Sequence, residues 1–210
     1  MRSTRETGSL LLASNNAHKR EELARALPGY ELVTPGSLGL ELDYEEEGDT
    51  FRENALGKAL RLLELAGRAA GIRGVVADDS GLCVDALGGR PGVHSNRYGS
   101  EGGQLLSAEG KIELLLRELG DRPDRSASFV CALAFAVEPD RFFVFQEVLR
   151  GHIARSPSGS GGFGYDPVFL VPELGRSLAE LAAGEKDAVS HRGRAALRLK
   201  ALLLSLDQER

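Results

Sequence analysis

Apolar positions first cluster without interruption at Ser9 to Ala13, after a polar stretch from Met1 to Gly8, and a short continuous run of this kind predicts a strand buried on both faces. Ala17 to Leu27 then reads as a helix stopped by Pro28-Gly29, so strand followed by helix forms the first α/β unit. Thr50-Phe51-Arg52-Glu53 has the capping-box pattern, with the Thr50 side chain accepting from the backbone N–H of Glu53. It opens a long helix to about Ala70, closed by Gly71 and Gly74 before the apolar run Val75-Val76-Ala77. Leu105 to Leu119 predicts an amphipathic helix, and Ser126 to Val137 alternates as a strand with Phe129, Cys131, Leu133 and Phe135 on one face. Glu138-Pro139-Asp140 turns the chain into a second strand, Arg141 to His152, so the two should form an antiparallel hairpin with a bend or bulge near Gln146. A last amphipathic helix, Ser190 to Leu206, is capped by Ser190. The order of elements is that of an α/β protein, without internal repeats, low-complexity tracts or linkers.

Composition sets outer limits on this picture. A chain of 210 residues with 42% hydrophobic content fits a single domain over 1–210, or one core with an elaborated lobe, with residues 1–8 as a flexible extension. A net charge of -5 argues against a protein that coats nucleic acid, so an anionic ligand has to be held by a local basic cluster. Cys83 and Cys131 lie far apart in apolar segments and read as buried free thiols. The Leu10-Leu11-Leu12 run is too short for a signal-peptide core, and no stretch approaches the ~18 apolar residues of a membrane span. The expectation is a cytoplasmic protein without a membrane partner.

Candidate chemistry concentrates in five places. At Ala77-Asp78-Asp79-Ser80-Gly81-Leu82, two carboxylates arrive at the end of an apolar strand that then turns through Gly81, placing acid groups at a strand's carboxyl edge where open α/β sheets bind ligands. The segment continues through Gly88-Gly89-Arg90-Pro91-Gly92-Val93, whose glycines and prolines impose a specific loop. Ser14-Asn15-Asn16-Ala17-His18-Lys19 is a polar strand-to-helix turn that suits an anion, and equally suits simple helix capping. Glu45-Glu46-Glu47-Gly48-Asp49, followed by Asn54 and Lys58 one helical turn apart, offers hard oxygen ligands for Mg²⁺ or just a solvated acidic face.

In the fourth place, Gly159, Gly161 and Gly164 match the G-x-G-x-x-G dinucleotide pattern, but extended chain at Asp166-Pro167 and Val168-Phe169-Leu170 follows where a helix is required. The physical reading is a backbone that a flat ligand can approach, with Phe163 or Tyr165 as a stacking face; aromatics that plug a core carry equal weight. The fifth place is Lys186 with Ser190-His191-Arg192-Gly193, where Arg192 can grip a phosphate or carbonyl bidentately.

Together these segments resemble the inosine/xanthosine triphosphate pyrophosphatase family, the Ham1-like house-cleaning enzymes. The resemblance runs from about Ser9 to Leu204 and rests on Ser14 to Lys19, Asp49-Thr50-Phe51 with Asn54-Ala55 and Lys58-Ala59, Ala77 to Leu82 with Leu87 to Val93, Gly161 to Pro167, and Lys186 with Ser190 to Arg192. It implies an α/β fold with an elongated mixed sheet flanked by helices, two lobes around a central substrate cleft, and a homodimer. It implies hydrolysis of ITP, dITP and XTP to the monophosphate and pyrophosphate with Mg²⁺. By the same resemblance Asp79 would bind metal and activate water, and Glu45 or Glu46 would be the second metal-binding acid. Ser14, Asn15, Asn16, Ala17, His18 and Lys19 would hold the triphosphate, and Ser80 would contact substrate. Phe163, Gly164, Tyr165 and Asp166 with His191 and Arg192 would frame the base, and Lys186 would meet substrate charge.

His94, Asn96 and Asp187 depart from the family's usual residues, and none of them is a proposed catalytic group. The alternatives are a Maf-like pyrophosphatase for other modified bases and a nucleotide-binding regulator that has lost turnover. Asp78-Asp79-Ser80 and Ser190-His191-Arg192 argue against the first, and the presence of both acids argues against the second.

Overall fold

A computed structural model describes residues 8–67, 71–100 and 104–209, and the proposed extension at 1–8 lies outside them except for Gly8. The apolar run forms strand β1 (Ser9–Ala13), which pairs in parallel with β2 (Glu31–Val33) and β3 (Ile72–Val84). Residues 10–13 are buried on both faces, as a continuous apolar strand requires. Helix α1 (Ala17–Ala26) connects β1 to β2, and α2 (Phe51–Ala66) precedes β3.

Both arms of the predicted capping box close. The Glu53 N–H donates to Thr50 Oγ1 at 3.2 Å, and the Thr50 N–H donates to Glu53 Oε2 at 3.1 Å. Thr50→Ala removes one arm and should cost about 1 kcal/mol, read as a lower thermal midpoint with unchanged helix content in the native baseline. Helix α2 ends at Ala66 with Gly67 as its cap, ahead of the predicted stops at Gly71 and Gly74, and its predicted last residue, Ala70, lies outside the described residues. Gly74 is already inside β3, where a Cβ would lie 2.7 Å from the Ala136 carbonyl oxygen, so it marks close packing within the sheet.

Helix α3 (Ala108–Leu119) is capped by Ser107, whose hydroxyl accepts from the Gly110 N–H at 3.1 Å. Strands β4 (Ser126–Glu138) and β5 (Arg141–Ile153) are neighbours joined through Pro139-Asp140, and a link this short fits only an antiparallel pair. The short strands β6 (Phe169–Val171) and β7 (Arg176–Ser177) follow antiparallel, then helices α4 (Ala183–Val189) and α5 (His191–Gln208). Among the described residues the sheet has seven strands in the order β2-β1-β3-β4-β5-β6-β7, mixed in direction as expected. Asp166–Val168 forms a single 3₁₀ turn in place of predicted extended chain. The absence of an α-helix there agrees with the rejection of a dinucleotide fold.

By compactness the chain divides into two units. One comprises Met1–Asp79, Cys131–Glu147 and Arg192–Arg210, and the other Ser80–Val130 and Val148–His191. Each has its own apolar core. Leu10, Leu12, Leu23, Val76, Leu133, Phe135, Leu199 and Leu203 build the first. Leu82, Leu115, Leu119, Phe129, Phe169 and Leu178 belong to the second.

One prediction fails in an informative way. The Asp78-Asp79 pair does not end a strand, and Gly81 does not turn the chain, because β3 runs unbroken through both to Val84. Gly81 instead admits a close neighbour: a Cβ there would lie 2.5 Å from the Gly92 carbonyl oxygen and 2.9 Å from Ser95 Cβ. The Ser95 hydroxyl occupies that space, accepting from the Leu82 N–H at 2.8 Å and donating to Gly92 O at 2.6 Å.

Candidate active site

Adjacent residues of a strand project to opposite faces, so mid-strand placement separates the two acids of β3. Asp78 meets α1 and α5. Its Oδ1 lies 2.5 Å from Lys19 Nζ, and its Oδ2 accepts from Arg192 Nε at 2.9 Å and from the Cys131 thiol at 3.2 Å. Arg192 Nη1 also donates to Glu22 Oε2 at 2.5 Å. Asp78, Arg192 and Glu22 are all buried. Burial alone would raise the Asp78 carboxyl, but the charges of Arg192 and Lys19 outweigh it and hold the group well below the usual carboxylate range. Burial, helped by the Asp78 charge, pushes the Cys131 thiol well up, so it stays neutral and donates.

Asp79, on the other face, is less satisfied. Its Oδ1 lies 3.5 Å from Lys58 Nζ, and its Oδ2 is buried without a hydrogen-bond partner. Burial raises its carboxyl; Lys58 opposes this, but the nearby Glu46 charge adds to it, and the net shift is upward. Lys58 donates to Glu46 Oε1 at 2.5 Å and to the Asp78 backbone oxygen at 2.8 Å. Burial would lower the Lys58 ammonium, yet Asp79 and Glu46 raise it on balance, so it stays charged. Of the two acids left open by the sequence, Glu46 is the one that reaches Lys58, whereas Glu45 is exposed.

A buried carboxylate oxygen with no partner, beside a second carboxylate and an ammonium, is a donor set that suits a hard divalent cation. Among the described residues no three His, Cys, Asp or Glu side chains gather as a cage, so a metal here would have one or two protein carboxylates. That is the ligation Mg²⁺ prefers, and it is too sparse for structural zinc.

The Ser14 to Lys19 turn caps α1 with its own side chains. Ser14 Oγ accepts from the Asn16 N–H at 3.2 Å, and Asn16 Oδ1 accepts from the Lys19 N–H at 3.1 Å. Asn15, Ala17 and His18 are exposed, and Ser80 is half-buried.

The second unit holds the remaining predicted residues. Asp166 Oδ2 accepts from the Phe163 N–H at 2.7 Å and from Lys186 Nζ at 2.5 Å, and the Lys186 ammonium sits 4.9 Å from the Phe163 ring centroid. His191 is buried and stacks on Phe129, with ring centroids 4.8 Å apart and planes 4° from parallel. Tyr165 is buried, and its hydroxyl donates to the Ser95 carbonyl at 3.0 Å, so it braces the core and Phe163 is the half-buried ring. The glycines of this loop also serve the fold. A Cβ on Gly159 would meet Ala179 at 2.5 Å, one on Gly162 would strike the Asp166 carboxylate, and only Gly164, at φ +62, has open space beside it. The expectation of a backbone bared for a flat ligand therefore narrows to Gly164.

Glu22 and Cys131 lay outside the candidate segments of the sequence, and Asp78 and Lys58 stood within them without an assigned role. A signal existed for Lys58. It shares the buried stripe of α2 with Phe51, Asn54, Ala55, Ala59 and Leu62, and a lysine in an apolar stripe has to be paired. Glu22 and Cys131 carry no local mark, since only the tertiary fold brings them to Asp78.

The fold and this acid–ammonium–guanidinium cluster define an α/β protein equipped to handle phosphate and metal, the class to which phosphoanhydride hydrolases belong. The model of the Ham1 family matches residues 10–202, and the chain belongs to that family. A dITP/XTP pyrophosphatase of Treponema denticola is 48% identical over 186 residues, covering 89% of this chain and 93% of that protein. One from Gloeobacter violaceus is 48% identical over 193 residues, covering 90% and 91%. Among solved structures, a HAM1 protein from Coxiella burnetii aligns with a TM-score of 0.81 at 37% identity, covering 94% of this chain and 98% of that one. The Staphylococcus aureus Ham1 protein gives 0.78 at 40%, covering 96% and 100%.

Proposed function

We infer that this chain hydrolyses noncanonical purine nucleoside triphosphates, dITP, ITP and XTP, to the monophosphate and pyrophosphate. The Treponema denticola and Gloeobacter violaceus relatives, both named dITP/XTP pyrophosphatase, align with this chain over 93% and 91% of their lengths. The observation that carries the reading to particular atoms is the buried, unpartnered Oδ2 of Asp79. Its upward-shifted carboxyl is suited to accept the proton of an attacking water as the anhydride between the α and β phosphorus breaks. Glu46 and Asp79 would hold Mg²⁺, which when bound would neutralise phosphate charge and acidify a water. Lys58 holds both acids in place and would offset charge developing on the leaving pyrophosphate. Lys19, shared with Asp78 and close to the positive end of α1, would meet the triphosphate.

Phe163, with Gly164 open beside it, would stack on the base, and the Lys186–Asp166 pair would present polar groups to its edge. Donors that meet a 6-oxo group disfavour adenine's amino group, because each mismatched buried partner costs about 1–3 kcal/mol. The test is a product assay with Mg²⁺ on ITP, dITP, XTP, GTP and ATP. Pyrophosphate should form chiefly from the inosine and xanthosine substrates. Orthophosphate as the product would overturn the reading, and binding of ITP without turnover would make the protein a nucleotide sensor.

A further inference from the structure

Residues 40–48 belong to no helix or strand, yet they alternate in burial: Leu40, Leu42, Tyr44, Glu46 and Gly48 are half-buried, while Glu41, Asp43, Glu45 and Glu47 are exposed. A period of two is the mark of extended chain lying with one edge against a surface. Here the surface is helix α2, and the fastenings occur in register. The Gly48 N–H donates to Asn54 Oδ1 at 2.8 Å, and Asn54 Nδ2 donates back to Gly48 O at 3.3 Å. Glu46 takes the ion pair with Lys58. Tyr44 lays its phenol over Gly57, so closely that a Cβ at 57 would overlap the hydroxyl and lie 2.6 Å from Cζ and 3.0 Å from Cε2. Asn54, Gly57 and Lys58 follow the three- and four-residue spacing that puts side chains on one helix face. Gly57 is thus explained: a glycine inside a helix costs stability, and this one leaves the bare backbone on which the tyrosine ring rests.

We propose that Tyr44 is a positioning residue for Glu46, and that its seat on Gly57 fastens the strap that keeps the Glu46 carboxylate beside Lys58 and Asp79. The proposal rests on the reading of Glu46 and Asp79 as metal-binding acids. It does not place Tyr44 on substrate. The hydroxyl makes the tightest approach to Gly57 and the ring carbon Cζ is next, so a methyl group at 57 evicts the whole phenol ring, and Tyr44 and Gly57 are two halves of one contact.

The experiment measures Mn²⁺ affinity directly by the electron paramagnetic resonance of the free ion, and amide exchange at Gly48, in the wild type, Y44A, G57A, the G57A/Y44A double variant and E46Q. Y44A and G57A should weaken Mn²⁺ binding about tenfold, in the direction of E46Q, the size of effect that supporting groups around a metal have. Exchange at Gly48 should rise by about the same factor as the strap loosens. G57A/Y44A should lose no more metal affinity or exchange protection than one single variant does, because both changes remove the same contact. Alanine is the better helix former, so a purely structural Gly57 would leave metal affinity untouched in G57A, and that result overturns the proposal. Wild-type Mn²⁺ affinity in E46Q overturns the metal arm, since Tyr44 would then position an acid that binds no metal. Absence of pyrophosphate release from dITP by the wild type would reject the functional reading alone, because the exchange arm decides the strap without turnover.

Discussion

Asp79→Asn should remove turnover and leave the protein folded. The substitution keeps the shape of the side chain and takes away the one buried carboxylate oxygen without a partner among the described residues, so the loss would fall on proton acceptance and metal ligation. A positioned general base supplies about 10²–10⁴-fold, and steady-state release of pyrophosphate from dITP should drop by at least that range. The sign of the stability change is separately informative. Burial raises the Asp79 carboxyl in the folded state, so the folded protein holds that proton more tightly than the unfolded chain does. Its favourable contribution is present at low pH and is lost as pH rises through the raised value. At neutral pH the charged group is therefore a burden, and Asp79→Asn should melt at the same temperature as the wild type or higher. Retained hydrolysis would remove Asp79 from the mechanism; lost hydrolysis with a collapsed melt would show only a misfolded variant.

The opposite acid gives the opposite result. Arg192→Met should leave Asp78 and Glu22 buried without their shared guanidinium, and breaking a buried pair in this way costs about 3–5 kcal/mol. For a domain of this size that is a fall of about 10 °C in the melting midpoint, measured by calorimetry or circular dichroism. The pH dependence inverts as well. Arg192 and Lys19 hold Asp78 well below its ordinary value of 3.8, so its stabilisation is complete above that value and is lost as pH falls below it. The wild type should lose stability in acid more steeply than Arg192→Met, whose Asp78 is less depressed. Asp78→Asn combined with Arg192→Met should cost less than the sum of the single changes, because the two side chains share one network. Equal acid slopes in wild type and variant would show that the ion pair does not set the Asp78 proton affinity.

The contrast between these acids also shows where sequence reading reached its limit. The flanking architecture was legible because its signals are local: the Leu10–Leu12 run, the Thr50/Glu53 box, and the Pro139-Asp140 link each state their own geometry within a few residues. Gly81 misled because a glycine after two aspartates ordinarily means a turn, whereas here the missing side chain makes room for Ser95, fourteen residues further on and invisible to any short window. The same limit applies to Tyr165. Its ring looked available for stacking on a base, and only the fold reveals that its hydroxyl is committed to the Ser95 carbonyl. The candidate site was read as a set of residue types but not as a division of labour, since nothing in the string Asp78-Asp79 tells which acid is neutralised by Lys19 and Arg192 and which keeps a bare oxygen.

That division rests on a count of one residue, and it makes length the sensitive variable in β3. A point substitution elsewhere on the strand alters one contact, but inserting or deleting a single residue between Ile72 and Ala77 would rotate every following side chain to the other face. The aspartate built to be neutralised would then stand beside Lys58, and the one with the bare oxygen would be driven against Arg192. Away from Gly74, Gly81 and the two acids, β3 should therefore tolerate a change of composition more readily than a change of register, and shortening by one codon would be a more thorough way to silence the protein than most missense changes.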